Sequence, residues 1–191
     1  MQALGARFDA EASLEAFAFE ESALGVTVTT AEQRAYIDQL KRRATAARAA
    51  FPRSLVVQWT NWNLQEPYGT EVFSFLRDSG LGAGGPDTSP LHLTQATPHF
   101  STFKGQIPIL MGVQPTFLTW QEHPIAEGKL TLDQVFSFLV DDAKGIHATH
   151  AFWWYFVDAK GPYDYQDTVA LIQKNGARIN SACPANLTCD L

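Results

Sequence analysis

Short apolar runs recur along the chain, and each stops abruptly in polar or aromatic residues. Residues 15–19 close on Glu20, Glu21 and Ser22, and residues 55–59 lead into Thr60, Asn61, Trp62 and Asn63. A glycine-rich run from Leu81 reaches Asp87, one from Ile107 reaches Gln114, and one from His147 passes Trp153, Trp154 and Tyr155. Each run predicts a short buried strand whose carboxyl end carries polar groups, which is how α/β enzymes assemble a site.

Helical patterns fall between these runs. Thr29 and Thr30 offer N-caps, with Glu32 or Gln33 placed to complete a capping box. Ile37, Leu40, Ala44, Ala47 and Phe51 then recur at helical spacing until Pro52. Val72, Phe73 and Leu76 predict a second helix over residues 70–78, stopped by Gly80. A third starts at Thr131, with Gln134 at the box position, and a last one starts near Asp164 or Asp167. Residues 88–106 are polar, broken by Pro90 and Pro98, and read as one long loop.

Alternation of this kind implies a parallel sheet with right-handed crossovers, here a single α/β domain over residues 1–191. Five strands fall short of the eight in a closed (β/α)8 barrel, and the chain is shorter than the roughly 250 residues typical of that fold. No helical layer is expected before the first strand. The pattern therefore fits either an open sheet or a partial, truncated barrel that lacks its opening units.

Composition narrows the function classes. The 191 residues are 46% hydrophobic and 18% charged, with a formal net charge of −6, the balance of a soluble globular protein. The cluster Lys41-Arg42-Arg43 reads as a solvated helix face, so nucleic acid is not an expected partner. No apolar run suits a membrane span and no signal peptide is evident. The expectation is a soluble protein, cytoplasmic or secreted as part of a longer precursor. Cys183 and Cys189 would close a small disulfide loop in an oxidising compartment. The histidines lack the i, i+4 pairing of zincins, so no metal or other cofactor is implied.

Aromatic residues make up 12% of the chain, and many crowd the strand ends. Trp59, Asn61, Trp62 and Asn63 combine flat apolar surfaces with amide donors and acceptors, a pairing suited to sugars; Trp153 and Tyr155 extend it. Asp87 follows closely set glycines and Pro86, which let a backbone or ligand approach. Alternation along a strand puts Glu21 on the side of Phe17 and Phe19 and Glu20 on the other. Glu20 would then face a barrel interior, with Glu21 as the alternative.

The run from Phe19 to Leu24, the helix from Ala35 to Leu40, residues 49–58 and Gly84-Gly85-Pro86-Asp87 together resemble the middle of a (β/α)8 glycoside hydrolase of the cellulase and mannanase kind. The resemblance implies hydrolysis of a β-linked glycan or glycoside, with Glu20 or Glu21 as the acid/base residue. It implies a second carboxylate on a later strand, since most such enzymes work with two. There the sequence departs from the family, because Gln114 stands where the nucleophilic glutamate is expected. Asp87 or Glu122 would supply that carboxylate, and Gln114 would bond a sugar hydroxyl. Two other readings stay open: an ester hydrolase using Ser22, Ser89 or Ser101 with a loop histidine, and a carbohydrate-binding barrel fragment without turnover. Exposed sheet edges further imply a homo-oligomer.

Overall fold

In the computed structural model, which describes residues 1–86, 90, 94–113, 130–140, 145–153 and 163–175, the capping box at Thr29 is formed. The Thr29 hydroxyl accepts the Glu32 N–H at 3.3 Å, and the Glu32 carboxylate accepts the Thr29 N–H at 2.8 Å. Two orphan donors at the helix start are thereby satisfied. Helix α2 (Thr30–Ala50) follows, burying Gln33, Ile37, Leu40, Ala44 and Ala47 along one stripe.

Two short helices depart from the sequence expectation. Helix α1 (Gln2–Phe8) precedes the first strand, where no helical layer was expected. It is held by close backbone approach: a Cβ on Gly5 would collide with the Ala50 carbonyl at the end of α2. Helix α4 (Thr97–Phe103) lies within the stretch read as loop. Pro98 stands in its first turn, where a missing N–H costs nothing, so the proline that argued against a helix in fact begins one. Helices α3 (Tyr68–Asp78), α5 (Leu132–Val140) and α6 (Tyr165–Asn175) fall where periodicity placed them.

Five strands, β1 (Ala16–Phe19), β2 (Leu55–Trp59), β3 (Gly82–Gly85), β4 (Ile109–Val113) and β5 (His150–Trp153), form one all-parallel sheet in the order β1-β2-β3-β4-β5. Strand order separates the two architectures left open by the sequence. A doubly wound open sheet reverses direction at a switch point, whereas a barrel adds each strand beside the last. Here every strand pairs with its sequence neighbour, and the sheet curls into a half-barrel. The curl brings the first and fifth strands within reach of each other: His150 Nε2 lies 2.8 Å from the carboxylate of Glu15, just before β1.

The two faces of the sheet differ in volume. Phe19, Val56, Ala83, Ile109, Met111 and Val113 join the helix residues Ile37, Leu40, Val72, Phe73, Leu76 and Val135 in one apolar core. Full burial of such side chains contributes about 2 kcal/mol each. The concave face carries Ala16, Ala18, Gly82, Gly84 and Gly112, with Val57 and Leu110 fully buried among them. A Cβ on Gly84 would strike the Leu110 carbonyl and the Trp59 indole. That glycine is what lets the indole lie across β3 toward Gly112.

Outside the sheet, Glu71 of α3 pairs with Arg34 and Lys41 of α2, both at 2.6 Å, and these cations hold its carboxyl down at about 2. Among the described residues no helix is long and apolar enough to cross a membrane.

Candidate functional site

Strand β1 parts from β2 after the Phe19–Gln58 pair, where their ladder stops. Strand β2 stays joined to β3 for one residue more, since both the N–H and the hydroxyl of Thr60 reach the Gly84 carbonyl, at 2.6 and 2.9 Å. The opening between β1 and β2 is filled by polar side chains, and these build the site.

Ser22 is completely buried. Its hydroxyl donates to the Trp62 carbonyl at 2.6 Å and accepts the Asn61 N–H at 3.0 Å. Asn61, 2% exposed, is satisfied in the same way: its Oδ1 accepts the Trp62 N–H at 2.7 Å and its Nδ2 donates to the Glu21 carboxylate. Asn63 takes a left-handed φ of 62°, a conformation asparagine tolerates better than most residues. It ties the two strand-end loops together, its Oδ1 accepting the Leu24 N–H at 2.9 Å and its carbonyl accepting the Gln33 amide at 2.5 Å. Tyr36 donates its phenolic proton to the Ser22 carbonyl at 3.1 Å.

The structure thus brings Glu21, Asn61, Trp62 and Asn63 into one cluster at the carboxyl edge of the sheet. Trp62 is 41% exposed there, and both glutamates face solvent. Glu20 enters through its backbone, whose carbonyl accepts the Gln58 amide at 2.9 Å. Trp59 lies lower, flat on the concave face, with an indole N–H that is buried and bonded to no described residue. Trp153 sits on the other side of the sheet, part-buried against the apolar core, so its ring is committed to packing. Asp87, Gln114 and Tyr155, with Glu122, lie outside the described residues.

Ser22 is one of the serines that the sequence offers as an ester-cleaving nucleophile. With its hydroxyl buried and engaged at both ends by backbone groups, it serves instead as the joint between the β1 and β2 loops. The site roles of Gln33, Tyr36, Gln58 and Gln95 are not evident in the sequence, where Gln33 reads only as a capping-box candidate. Of these, only Gln58 carried a signal, as a lone amide inside the apolar run 55–59.

A buried histidine supports the outer wall of this region. His99 of α4 packs against the Phe73 ring, with centroids 5.2 Å apart, and crowds Gly69, where any Cβ would strike the imidazole. Burial pushes its pKa below the ordinary 6.5, against the opposing influence of Glu66, 3.6 Å away, and of the Leu64 backbone. The loop from Asn61 to Leu64 is tied to the same segment, the Ala96 N–H reaching the Asn61 carbonyl at 3.1 Å and Gln95 Oε1 accepting the Leu64 N–H at 2.9 Å.

Among the described residues no group of three or more His, Cys, Asp or Glu side chains is arranged to hold a metal ion. Comparison with protein-family models, with curated proteins and with solved structures gives no match.

Proposed function

We propose that this chain is a carbohydrate-active protein of the glycoside hydrolase kind, with Glu21 as the proton-transferring carboxylate and Trp62 as the sugar platform. One observation carries the reading. At the carboxyl edge of a half-barrel, a carboxylate is held by a buried amide beside a half-exposed indole. A carboxylate fixed in orientation suits proton transfer to a glycosidic oxygen, and an indole face suits the C–H side of a sugar ring. Asp87 and Glu122 are the partner carboxylates the sequence offers, and Glu20 is the neighbour against which Glu21 is compared.

The test is a panel of chromogenic β-glycosides assayed with the wild-type chain, Glu20→Gln and Glu21→Gln. The expected result is a loss of kcat in Glu21→Gln of about a hundredfold or more, with KM little changed. Equal turnover by wild type and Glu21→Gln would rule that residue out.

The exposed Trp62 ring also favours a second reading, sugar binding without cleavage. It predicts that oligosaccharides quench tryptophan fluorescence in wild type but not in Trp62→Ala, while no glycoside is turned over.

A further inference from the structure

We infer that Gln58 is a positioning residue for Glu21, acting through the backbone carbonyl of Glu20; the inference rests on the reading of Glu21 as the proton-transferring carboxylate. Gln58 is 1% exposed, on the helix-facing side of β2, between Phe19 of β1 and Ala83 of β3. A glutamine buried there is costly unless every polar atom is partnered. All of them are. Its Nε2 gives one proton to the Glu20 carbonyl at 2.9 Å and the other to the Trp59 carbonyl at 2.7 Å. Its Oε1 accepts from Arg43 Nη2 of α2 at 2.9 Å, and the Arg43 guanidinium lies 4.4 Å over the Phe19 ring.

These bonds fall where the β1–β2 ladder gives out. The carbonyl of Glu20 has left the ladder, and the side chain of Gln58 takes the place of the missing backbone donor. That carbonyl belongs to the peptide plane joining Glu20 to Glu21. Holding it fixes the direction in which Glu21 departs, and so the point at which its carboxylate meets Asn61. The second proton of the same amide fixes Trp59 O, two residues before Asn61. One side chain therefore sets both halves of the Glu21–Asn61 contact, while Arg43 locks its rotamer. A leucine of similar volume would fill the space and supply none of this.

Two variants separate the donor role from packing. Gln58→Leu keeps volume and loses all three bonds; Gln58→Glu keeps the Arg43 contact and loses both donated protons. Each is followed by thermal unfolding, by carboxyl ¹³C and side-chain amide NMR of Glu20, Glu21 and Asn61, and by kinetics on whichever β-glycoside wild type cleaves. In both variants the Glu21 carboxyl and Asn61 amide resonances are expected to move, and kcat to fall about tenfold to a hundredfold with KM held within about twofold, the mark of lost orientation. Unchanged Glu21 and Asn61 resonances in folded Gln58→Leu overturn the inference, whatever the activity. If wild type cleaves no glycoside, the enzymatic reading fails while the NMR comparison still decides the positioning role. Should neither variant fold, Arg43→Met, which frees the Gln58 rotamer, is expected to move the same two resonances by less; no movement there overturns the inference equally.

Discussion

The carboxyl ends of β1 and β2 keep their polar side chains buried and bonded to backbone, whereas the polar contact joining the amino ends of β1 and β5 lies largely in water. Ser22, Gln58 and Asn61 are at most 2% exposed. Glu15 and His150, which meet across the other end of the half-barrel, have side chains 65% and 25% exposed. Removing one partner of a buried hydrogen bond strands the other in a medium that cannot solvate it, at about 1–3 kcal/mol per group. Breaking an exposed side-chain contact returns both groups to water, at about 0–1 kcal/mol. The difference teaches where this molecule fixes side-chain positions tightly: at the edge that carries Glu21 and Trp62.

The largest stability effect should therefore come from Ser22→Ala. The change deletes only an oxygen, yet it leaves the Asn61 N–H and the Trp62 carbonyl without their partner. The expected loss is about 3 kcal/mol. For a domain of this size that lowers the melting temperature by roughly 6–12 °C. A shift of about 1 °C or less in calorimetry would mean that these groups reach solvent or new partners, and the contrast between the two ends would lose its physical basis.

A smaller effect at the same end is pH-dependent. Burial lowers the pKa of His99 in the folded chain, so between that value and 6.5 the unfolded chain binds more protons. His99 thus favours folding fully above pH 6.5, and this contribution is lost as pH falls from 6.5 through the lowered folded value. Denaturant midpoints should drop between pH 7.5 and 5.5, and the drop should shrink in His99→Gln. An equal drop in the variant would assign the acid sensitivity elsewhere.

The two ends also differ in how far they could be read from sequence. Alternation of apolar runs and helical stripes gave the five strands and the long helices, because burial imposes those periods directly. The short helices α1 and α4 are not legible: seven residues carry too little periodicity, and Pro98 reads as a breaker although it stands in a first turn. Glu21, Asn61, Trp62 and Asn63 were legible as residue types that suit sugars at the ends of apolar runs. Their joining through Ser22 was not, because a serine's partners 39 and 40 residues away leave no mark on local pattern. Trp153 shows the converse. Its aromatic neighbours suggested a ligand wall, but only the pleat decides which rings face the core, and the register Val113–Trp153 puts this one with the helices.

The smallest expected effect lies at the amino ends. A double-mutant cycle on Glu15→Gln and His150→Gln measures their coupling directly. Partial exposure predicts less than about 1 kcal/mol. The contact is nonetheless the one described side-chain hydrogen bond between the first and fifth strands, with the imidazole oriented by the Thr149 hydroxyl 2.9 Å from Nδ1. If the curl of the sheet depended on it, the cycle would return well over about 2 kcal/mol, as buried or networked pairs do. A small value means instead that curvature is set by the helix-facing core and by the glycines that admit Trp59 to the concave face. On that outcome, the amino edge tolerates substitution while the carboxyl edge does not.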